Sequence, residues 1–180
     1  LKLQAIADVL GQPAAMTRSD DSARSDYADY SEHEDLVHRT EIINAQPGAI
    51  LISIHQNDFP TGQPSGSQVL YAASEGSESL GKRCHEQLIR YLNPENRRVA
   101  EPAPSSLYIT SHVSCPAVLV ECGFMSNPDE DRLLNDEDYQ WKLAAGLTDR
   151  TAIVSVFREK YCYNVDSQEA VAQIRKLLDA

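Results

Sequence analysis

The sequence predicts an α/β fold, with a twisted, mostly parallel or mixed sheet that carries helices on both faces. Short apolar segments alternate with longer helix-like segments along the chain, which is the pattern of such folds. One apolar segment, AILISIH at residues 49–55, is nearly continuous, and this is typical of a strand covered on both faces. The length of 180 residues, with 42% hydrophobic and 24% charged residues, indicates one globular domain with a substantial core.

The helices are predicted from apolar spacing and from signals at their ends. In LKLQAIADVLG, the apolar residues Leu3, Ile6 and Leu10 recur at helical spacing. Asn127 suits an N-cap, because Pro128 follows at the first helical position and acidic residues fill the first turn. The predicted helices cover residues 1–11, 32–46, 74–92, 127–136, 137–159 and, as a separate amphipathic tail, 166–180. The predicted strands cover residues 14–18, 49–55, 67–73, 104–110 and 116–121.

Charge and hydropathy argue against two classes of partner. The net charge of -11 argues against nucleic acid, because binding to phosphates needs clustered Lys and Arg. No apolar run reaches the roughly 18 residues that a membrane helix needs, so no transmembrane segment is predicted in this chain. Because Leu1 opens directly into helical sequence with neither Met nor a cap, we expect the chain to begin within a longer protein. The absence of a targeting segment therefore indicates no compartment.

Two predicted strands end in residues that carry chemistry. LISIHQND places His55 after a strand, where the ring is either a core-edge side chain with one hydrogen bond, or a metal ligand or catalytic base. VLVECG places Glu121 at the end of another strand, where the carboxylate either caps a neighbouring element or faces a cavity, and Gly123 permits a tight turn. Together, a histidine and a glutamate at neighbouring strand ends suit a zinc hydrolase.

The other histidines are predicted to be structural or solvated. HEDLVH, from His33 to His38, resembles the zincin motif H-E-x-x-H but has one residue too many. Five positions turn a helix by about 500°, so the two rings do not share a face. His85 falls in a predicted helix and His112 in a predicted loop, and both are interpreted as structural or surface residues.

Several longer motifs together resemble one family. They are MTRSDD at residues 16–21, Arg39 with IIN at 42–44, LISIHQN at 51–57, SGSQVLY at 65–71, PAVLVECGFMSNPDE at 116–130 and YQWKLAAG at 139–146. In order and spacing they resemble the zinc-dependent N-acetylmuramoyl-L-alanine amidases of the amidase type 3 family, which cleave bacterial peptidoglycan. The resemblance covers residues 1–157 and implies the phosphorylase/hydrolase-like sheet of that family.

This resemblance implies a zinc site. In the family, two histidines and a glutamate hold Zn2+, and a second glutamate is the catalytic acid/base. His55 matches the second histidine, and Glu121 matches the catalytic glutamate. The positions of the first histidine and of the ligand glutamate are not present, and the resemblance places both, with the first strand, upstream of this chain. Asn57 is expected to orient substrate or to support the loop after the strand, and Arg18 and Arg39 are expected to form structural ion pairs.

The resemblance also implies a reaction. Zinc-activated water would hydrolyse the amide between N-acetylmuramic acid and the L-alanine of the stem peptide, so peptidoglycan is the expected partner and the location is extracytoplasmic, in the cell envelope or spore cortex. Some family members insert a regulatory helix between the positions of His55 and Glu121, but the short connection in this chain leaves little room for one. In this respect the chain is similar to the branch that processes spore cortex. Self-association or binding of an accessory protein is expected from the same resemblance.

Residues 1–161 are expected to form the amidase catalytic domain, and residues 162–180 a C-terminal tail helix outside it. Two alternatives stay open at this stage. The chain could be a non-catalytic fragment or relative that binds peptidoglycan or a partner protein, or it could be another zinc peptidase that acts on stem peptides.

Overall fold

The computed structural model describes residues 1–12, 14–17 and 31–148. In these residues, six helices and four strands follow one another along the chain. The helices are α1 (Lys2–Val9), α2 (Glu32–Asn44), α3 (Ser77–Leu92), α4 (Tyr108–Ser111), α5 (Pro128–Leu134) and α6 (Glu137–Thr148). The strands are β1 (Leu51–Asn57), β2 (Gln68–Tyr71), β3 (Glu101–Pro102) and β4 (Ala117–Phe124).

The four strands form one mixed sheet in the order β1-β4-β2-β3. Strand β4 runs parallel to β1 and antiparallel to β2, and β2 runs parallel to β3. The sequence prediction of a mostly parallel or mixed sheet is therefore confirmed. Because β4 lies between β1 and β2, its side chains have neighbours on both strands.

Alternating residues of β4 form two separate cores. Val118 and Val120 pack with residues of α3, α5 and α6, including Leu80, Leu134 and Leu147. On the other face, Ala117 and Leu119 of β4 pack in a second core. This core also contains Ile43 of α2 and Ile109 of α4. This alternation is the period of two that a strand imposes on its side chains. Helices therefore cover both faces of the sheet, as the sequence predicts.

The prediction that the strand at residues 49–55 is covered on both faces holds only for its first half, where Leu51 packs in one core and Ile52 packs against the other. In the described residues, β1 pairs with β4 alone and so lies at one edge of the sheet. Only Leu51 is buried, whereas Ile54 is 51% exposed. The apolar run at the start of β1 packs on the sheet, but its second half extends past the covering helices, and that half carries His55.

Two other predicted strands do not form. Residues 14–17 have no strand structure, and Arg18 lies outside the described residues. The predicted strand at residues 104–110 is instead loop followed by the short helix α4, and the strand that pairs with β2 is β3. Side-chain hydroxyls explain the difference, because Thr110 and Ser111 both donate hydrogen bonds to the Leu107 carbonyl. Such local bonds stabilise a helical turn against the strand preference of the sequence.

The predicted helix ends are largely confirmed. Gly11 has a positive φ of 68° just after α1, as expected of a helix-terminating glycine. The side chain of Asn127 caps α5 by accepting from the backbone of Asp129 and Glu130, with Pro128 as the first helical residue. The long final helix is confirmed as far as Thr148. Its predicted continuation to residue 159 and the tail helix at 166–180 lie outside the described residues.

None of the helices in the described part of the chain has the length and apolar character that crossing a bilayer requires.

Helix α3 packs closely on β2, and Gly81 is the residue that permits this contact. A Cβ added at Gly81 would lie 2.9 Å from Cβ and 3.1 Å from Cδ1 of Tyr71. We expect Gly81→Ala to lower the free energy of unfolding by about 1–3 kcal/mol, because overpacking outweighs the higher helix propensity of alanine.

Gly146→Ala in α6 is the matched control for Gly81→Ala. Its added Cβ would meet nothing closer than Leu88 Cδ2 at 3.4 Å, so it should be neutral or stabilising by up to about 1 kcal/mol. Urea denaturation of both variants measures the two effects. Equal stability of the two variants would show that the contact between Gly81 and Tyr71 is not a constraint on the packing of α3.

Candidate active site

The parallel register of β1 and β4 brings His55 and Glu121 side by side. The two residues are direct register partners, so their side chains project from the same face of the sheet. Neighbouring strands lie about 4.8 Å apart, which is a spacing at which two side chains act on one bound group. The sequence prediction that these two residues meet at strand ends is therefore confirmed as a juxtaposition.

An irregularity in the pairing follows directly after this pair. Asn57 is the partner of Phe124, so β4 contains one residue more than β1 over this interval. Gly123 lies inside β4 and is not among the glycines with positive φ, so the prediction of a tight turn there is wrong. Its function is close approach: a Cβ at Gly123 would lie 3.2 Å from Oε2 of Glu130. The end of β4 can thus contact the α5 carboxylate.

Glu130 fixes the geometry of this edge. Its Oε2 accepts a hydrogen bond from the Phe124 backbone N–H at 2.8 Å, and its Oε1 accepts from the Gly66 N–H at 2.7 Å. One carboxylate therefore ties the end of β4 to the loop before β2. Sequence reasoning missed this role, although a glutamate three residues after the N-cap Asn127 is a recognised signal of backbone bonding near a helix start.

The carboxylate of Glu121 is partly buried and incompletely hydrogen-bonded. Its Oε2 is buried and has no hydrogen-bond partner among the described residues. Desolvation raises the pKa of Glu121 above its ordinary value of 4.5. A carboxyl group with a raised pKa holds a proton more readily at neutral pH, which is what a group that both takes and returns a proton needs. An unpartnered buried oxygen is also unusual in a purely structural carboxylate.

His55 is exposed on the same edge of the sheet and favours its neutral form. Desolvation by the surrounding protein, and secondly the positive charge of Arg39, lower the pKa of His55 below 6.5. Its Nε2 lies 2.8 Å from the Ser53 hydroxyl oxygen. Arg39 reaches this region from α2 and forms an ion pair with Asp35 at 2.7 Å, which confirms the predicted ion pair of Arg39. Neutral imidazole is the form that binds metals.

Asn57 supports the loop that follows β1. Its Oδ1 accepts a hydrogen bond from the Asp58 N–H at 2.9 Å, and its carbonyl accepts from the Met125 N–H at 2.8 Å. These contacts agree with one of the two expected roles of Asn57. Its other expected role, orientation of substrate, stays a prediction.

The remaining histidines lie away from this pair, in the structural settings that the sequence predicts. His85 is buried in α3 and its Nε2 lies 2.7 Å from the Arg98 carbonyl oxygen. His112 stacks on the ring of Tyr108 at 3.8 Å between centroids, and His33 contacts the same tyrosine edge-on. His38 is partly exposed on α2 and lies 3.9 Å from a Glu41 carboxylate oxygen.

Sequence reasoning missed two polar residues on the far side of Glu121. Gln68 is the antiparallel partner of Glu121 on β2, and Arg98 Nη1 donates to Gln68 Oε1 at 3.0 Å. The sequence contains no signal for this contact, because the pairing of β2 with β4 depends on the sheet topology. The motif SGSQVLY includes Gln68 but does not show which strand it neighbours.

Comparison with known proteins gives the family. The family model for N-acetylmuramoyl-L-alanine amidase matches residues 1–152. The chain belongs to this amidase family. Among curated proteins, the germination-specific N-acetylmuramoyl-L-alanine amidase of Bacillus subtilis (strain 168) is 33% identical over 155 residues, which cover 83% of this chain. The amidase LytC of the same organism is 29% identical over 112 residues, or 61% of this chain.

Solved structures agree with the family. The CwlD amidase from Clostridioides difficile, in complex with the GerS lipoprotein, superposes with a TM-score of 0.77 at 31% identity and covers 88% of this chain and 82% of that one. The catalytic domain of CwlV, at 24% identity and a TM-score of 0.66, shows the shared fold. This amidase chain spans 64% of the length of the germination-specific relative and 22% of LytC.

The described residues fit only part of a zinc site. His55 is neutral and accessible, and the orphaned Oε2 of Glu121 lies beside it. However, residues 1–12, 14–17 and 31–148 contain no group of three His, Cys, Asp or Glu side chains that could hold a metal. Zinc sites in hydrolases use three protein ligands, so the described residues do not complete one.

A pH titration tests the electrostatics of this pair. In metal-free amidase, we expect NMR of the His55 ring to give a pKa below 6.5, and Arg39→Gln to raise it, because one lowering charge is removed. Arg132→Gln, on the exposed side of α5, is the matched control and should leave the His55 pKa unchanged. A His55 pKa above 6.5 would contradict this prediction and would show that an anionic neighbour such as ionised Glu121 outweighs desolvation and Arg39.

Proposed function

We propose that this protein hydrolyses the amide between N-acetylmuramic acid and the L-alanine of the stem peptide in peptidoglycan, with Glu121 as acid/base. The observation that carries the proposal is the orphaned, buried Oε2 of Glu121 beside His55, in a chain that belongs to the amidase family. A carboxylate kept without a partner is costly to stability, so its retention suits a group that acts on a bound ligand.

The mechanism assigns two proton transfers to Glu121. Its carboxylate takes a proton from water as the water oxygen attacks the lactyl carbonyl carbon, which gives a tetrahedral intermediate. The carboxylic acid so formed then donates that proton to the alanine nitrogen while the carbon–nitrogen bond breaks. The products are a lactyl carboxylic acid and a free amine, and Glu121 is again ionised. The raised pKa of Glu121 supports the first transfer, because a carboxylate with a raised pKa is a stronger base toward water.

We further propose Zn2+ as the cofactor, with His55 as one ligand and the others from outside the described residues. Bound zinc would polarise the carbonyl and acidify water. The neutral state of His55 supports this assignment, because a protonated ring cannot bind a metal.

The proposed substrate sets the location and suggests a partner. Peptidoglycan lies outside the cytoplasmic membrane, so the protein would act there, and the germination-specific relative favours the spore cortex. The CwlD amidase was solved in complex with the GerS lipoprotein, which supports an accessory lipoprotein as partner.

Replacement of Glu121 is the direct test of the proposed reaction. With zinc in excess, Glu121→Gln should lower turnover of muropeptides by a factor of roughly 100 or more, because the amide can neither take nor return the proton. Release of free amine from purified muropeptide measures the rate, and Glu86→Gln on the exposed side of α3 is the matched control. Near wild-type cleavage by Glu121→Gln would exclude Glu121 as the acid/base. Absence of cleavage by unsubstituted protein to which zinc has been shown to bind would favour a binding role.

Zinc titration tests the ligand assignment. We expect the 180-residue chain to bind Zn2+ more weakly than micromolar, because His55 alone among the described histidines lies beside Glu121 and one imidazole is a weak site. Calorimetric titration of the chain and of His55→Ala measures this, with His33→Ala as control. Stoichiometric submicromolar binding that is lost in His55→Ala would show that other residues of this chain complete the site.

A further inference from the structure

We propose that Arg98 is a specificity-determining residue that binds a free carboxylate of the stem peptide, one residue beyond the amide that is cleaved. The inference rests on the proposed function, since it requires a stem peptide to lie along the edge of the sheet at Glu121. It adds a substrate preference: stem peptides whose second residue carries a carboxylate would bind better than those in which this group is amidated.

The sheet places Arg98 next to the proposed catalytic group. Gln68 is the direct antiparallel partner of Glu121, and such partners have Cα atoms about 4.5–5.5 Å apart. The Arg98 guanidinium bonds to the Gln68 side chain at 3.0 Å. His55 pairs with Glu121 from the opposite strand, so Arg98 lies on the side of Glu121 that faces away from His55. A substrate centred on Glu121 would therefore have the imidazole on one side and the guanidinium on the other.

The positive charge of Arg98 is not neutralised by the described residues. An arginine has five N–H donors. Nε donates to the Ser65 carbonyl at 2.8 Å and Nη1 donates to Gln68, which leaves three donors without an acceptor in the described part of the chain. Arg98 also forms no ion pair with any residue in the described part of the chain.

Two carboxylates bond to residues that Arg98 contacts, and neither forms an ion pair with Arg98. Glu101 Oε2 accepts from the Gln68 side chain at 3.1 Å. Both oxygens of Glu130 accept backbone N–H groups. Because these carboxylates bond to other groups, the Arg98 guanidinium can bind an anionic ligand. Its planar pair of N–H donors matches the two oxygens of a carboxylate.

Arg98 is held in place by contacts on several sides. Its guanidinium lies over the Phe124 ring, 4.7 Å from the centroid. Its backbone N–H donates to Asn96 Oδ1 at 3.1 Å, and its carbonyl oxygen lies 2.7 Å from Nε2 of His85. Asn96 and His85 are both buried. A cation that is fixed in this way loses little conformational freedom when a ligand binds, which favours affinity.

The chemistry of the stem peptide supplies the matching group. An extended peptide spans about 3.3–3.6 Å per residue, so the residue after L-alanine lies roughly 7 Å from the cleaved amide. If this residue is a D-glutamate joined through its γ-carboxyl, its α-carboxylate is free, and this is within reach of a side chain bonded to Gln68. Amidation converts the carboxylate to a neutral carboxamide, which cannot form a charge-assisted pair with a guanidinium.

The test compares two ligands that differ only in that group, MurNAc-L-Ala-D-Glu and MurNAc-L-Ala-D-isoglutamine. Calorimetric affinities are measured in a Glu121→Gln background, which prevents hydrolysis. We expect the acid to bind about tenfold more tightly than the amide. Arg98→Gln should bring this ratio to about one, and Arg98→Lys should keep part of it. The ratio reports recognition rather than folding, because a loosened loop weakens both ligands alike.

Arg97→Gln is the matched control, because Arg97 is 83% exposed and pairs with Glu95. It should leave the ratio unchanged. Equal affinity for the two ligands with Arg98 present, or a preference that survives Arg98→Gln, would overturn the proposal. If either of these outcomes is found while protein with Glu121 intact still releases free amine from peptidoglycan, only the proposed role of Arg98 fails. If neither ligand binds and no amine is released, the proposed function fails with it.

Discussion

The pairing of β4 with β1 and β2 is the constraint on which the rest of the site depends. Because β4 has a neighbour on each side, Glu121 has His55 as its parallel partner and Gln68 as its antiparallel partner. A slip of one residue would turn Glu121 toward the core formed with α3, α5 and α6, and would move a valine or cysteine to the face that carries His55. The buried alternation of β4 prevents this, since Val118 and Val120 fit only one of the two cores. The packing of β4 therefore determines which residues lie beside Glu121.

The bonds of Glu130 protect this register where it is weakest. Beyond Glu121 the pairing becomes irregular, and an irregular strand end has fewer ladder bonds to hold it. Glu130 supplies two backbone hydrogen bonds there, one to the end of β4 and one to the loop before β2. The absence of a side chain at Gly123 permits this close approach. The structural carboxylate of Glu130 thus lies on the helix that follows the strand of Glu121, and hydrogen bonding distinguishes the two groups.

The sequence predicted the fold class and the pair His55 and Glu121 because these depend on local patterns. Apolar alternation, helix caps and strand ends are readable from neighbouring residues, and family motifs supply the roles. The errors have a different source. The edge position of β1 and the contact of Arg98 with Gln68 depend on the order of strands in the sheet, which no single segment contains. The sequence also predicts a strand where α4 forms instead, because two hydroxyl–carbonyl bonds outweigh the strand propensity of that segment.

The opposed pKa shifts of the pair link the site to stability. The pKa of Glu121 is raised, so in the metal-free protein its contribution to stability falls as pH rises above its ordinary value of 4.5. The pKa of His55 is lowered, so its contribution falls as pH drops through 6.5. Both shifts arise first from desolvation, which means that the fold disfavours the charged form of each group. A cation bound beside both groups would relieve the cost at Glu121 and would bind the neutral imidazole that the fold already favours.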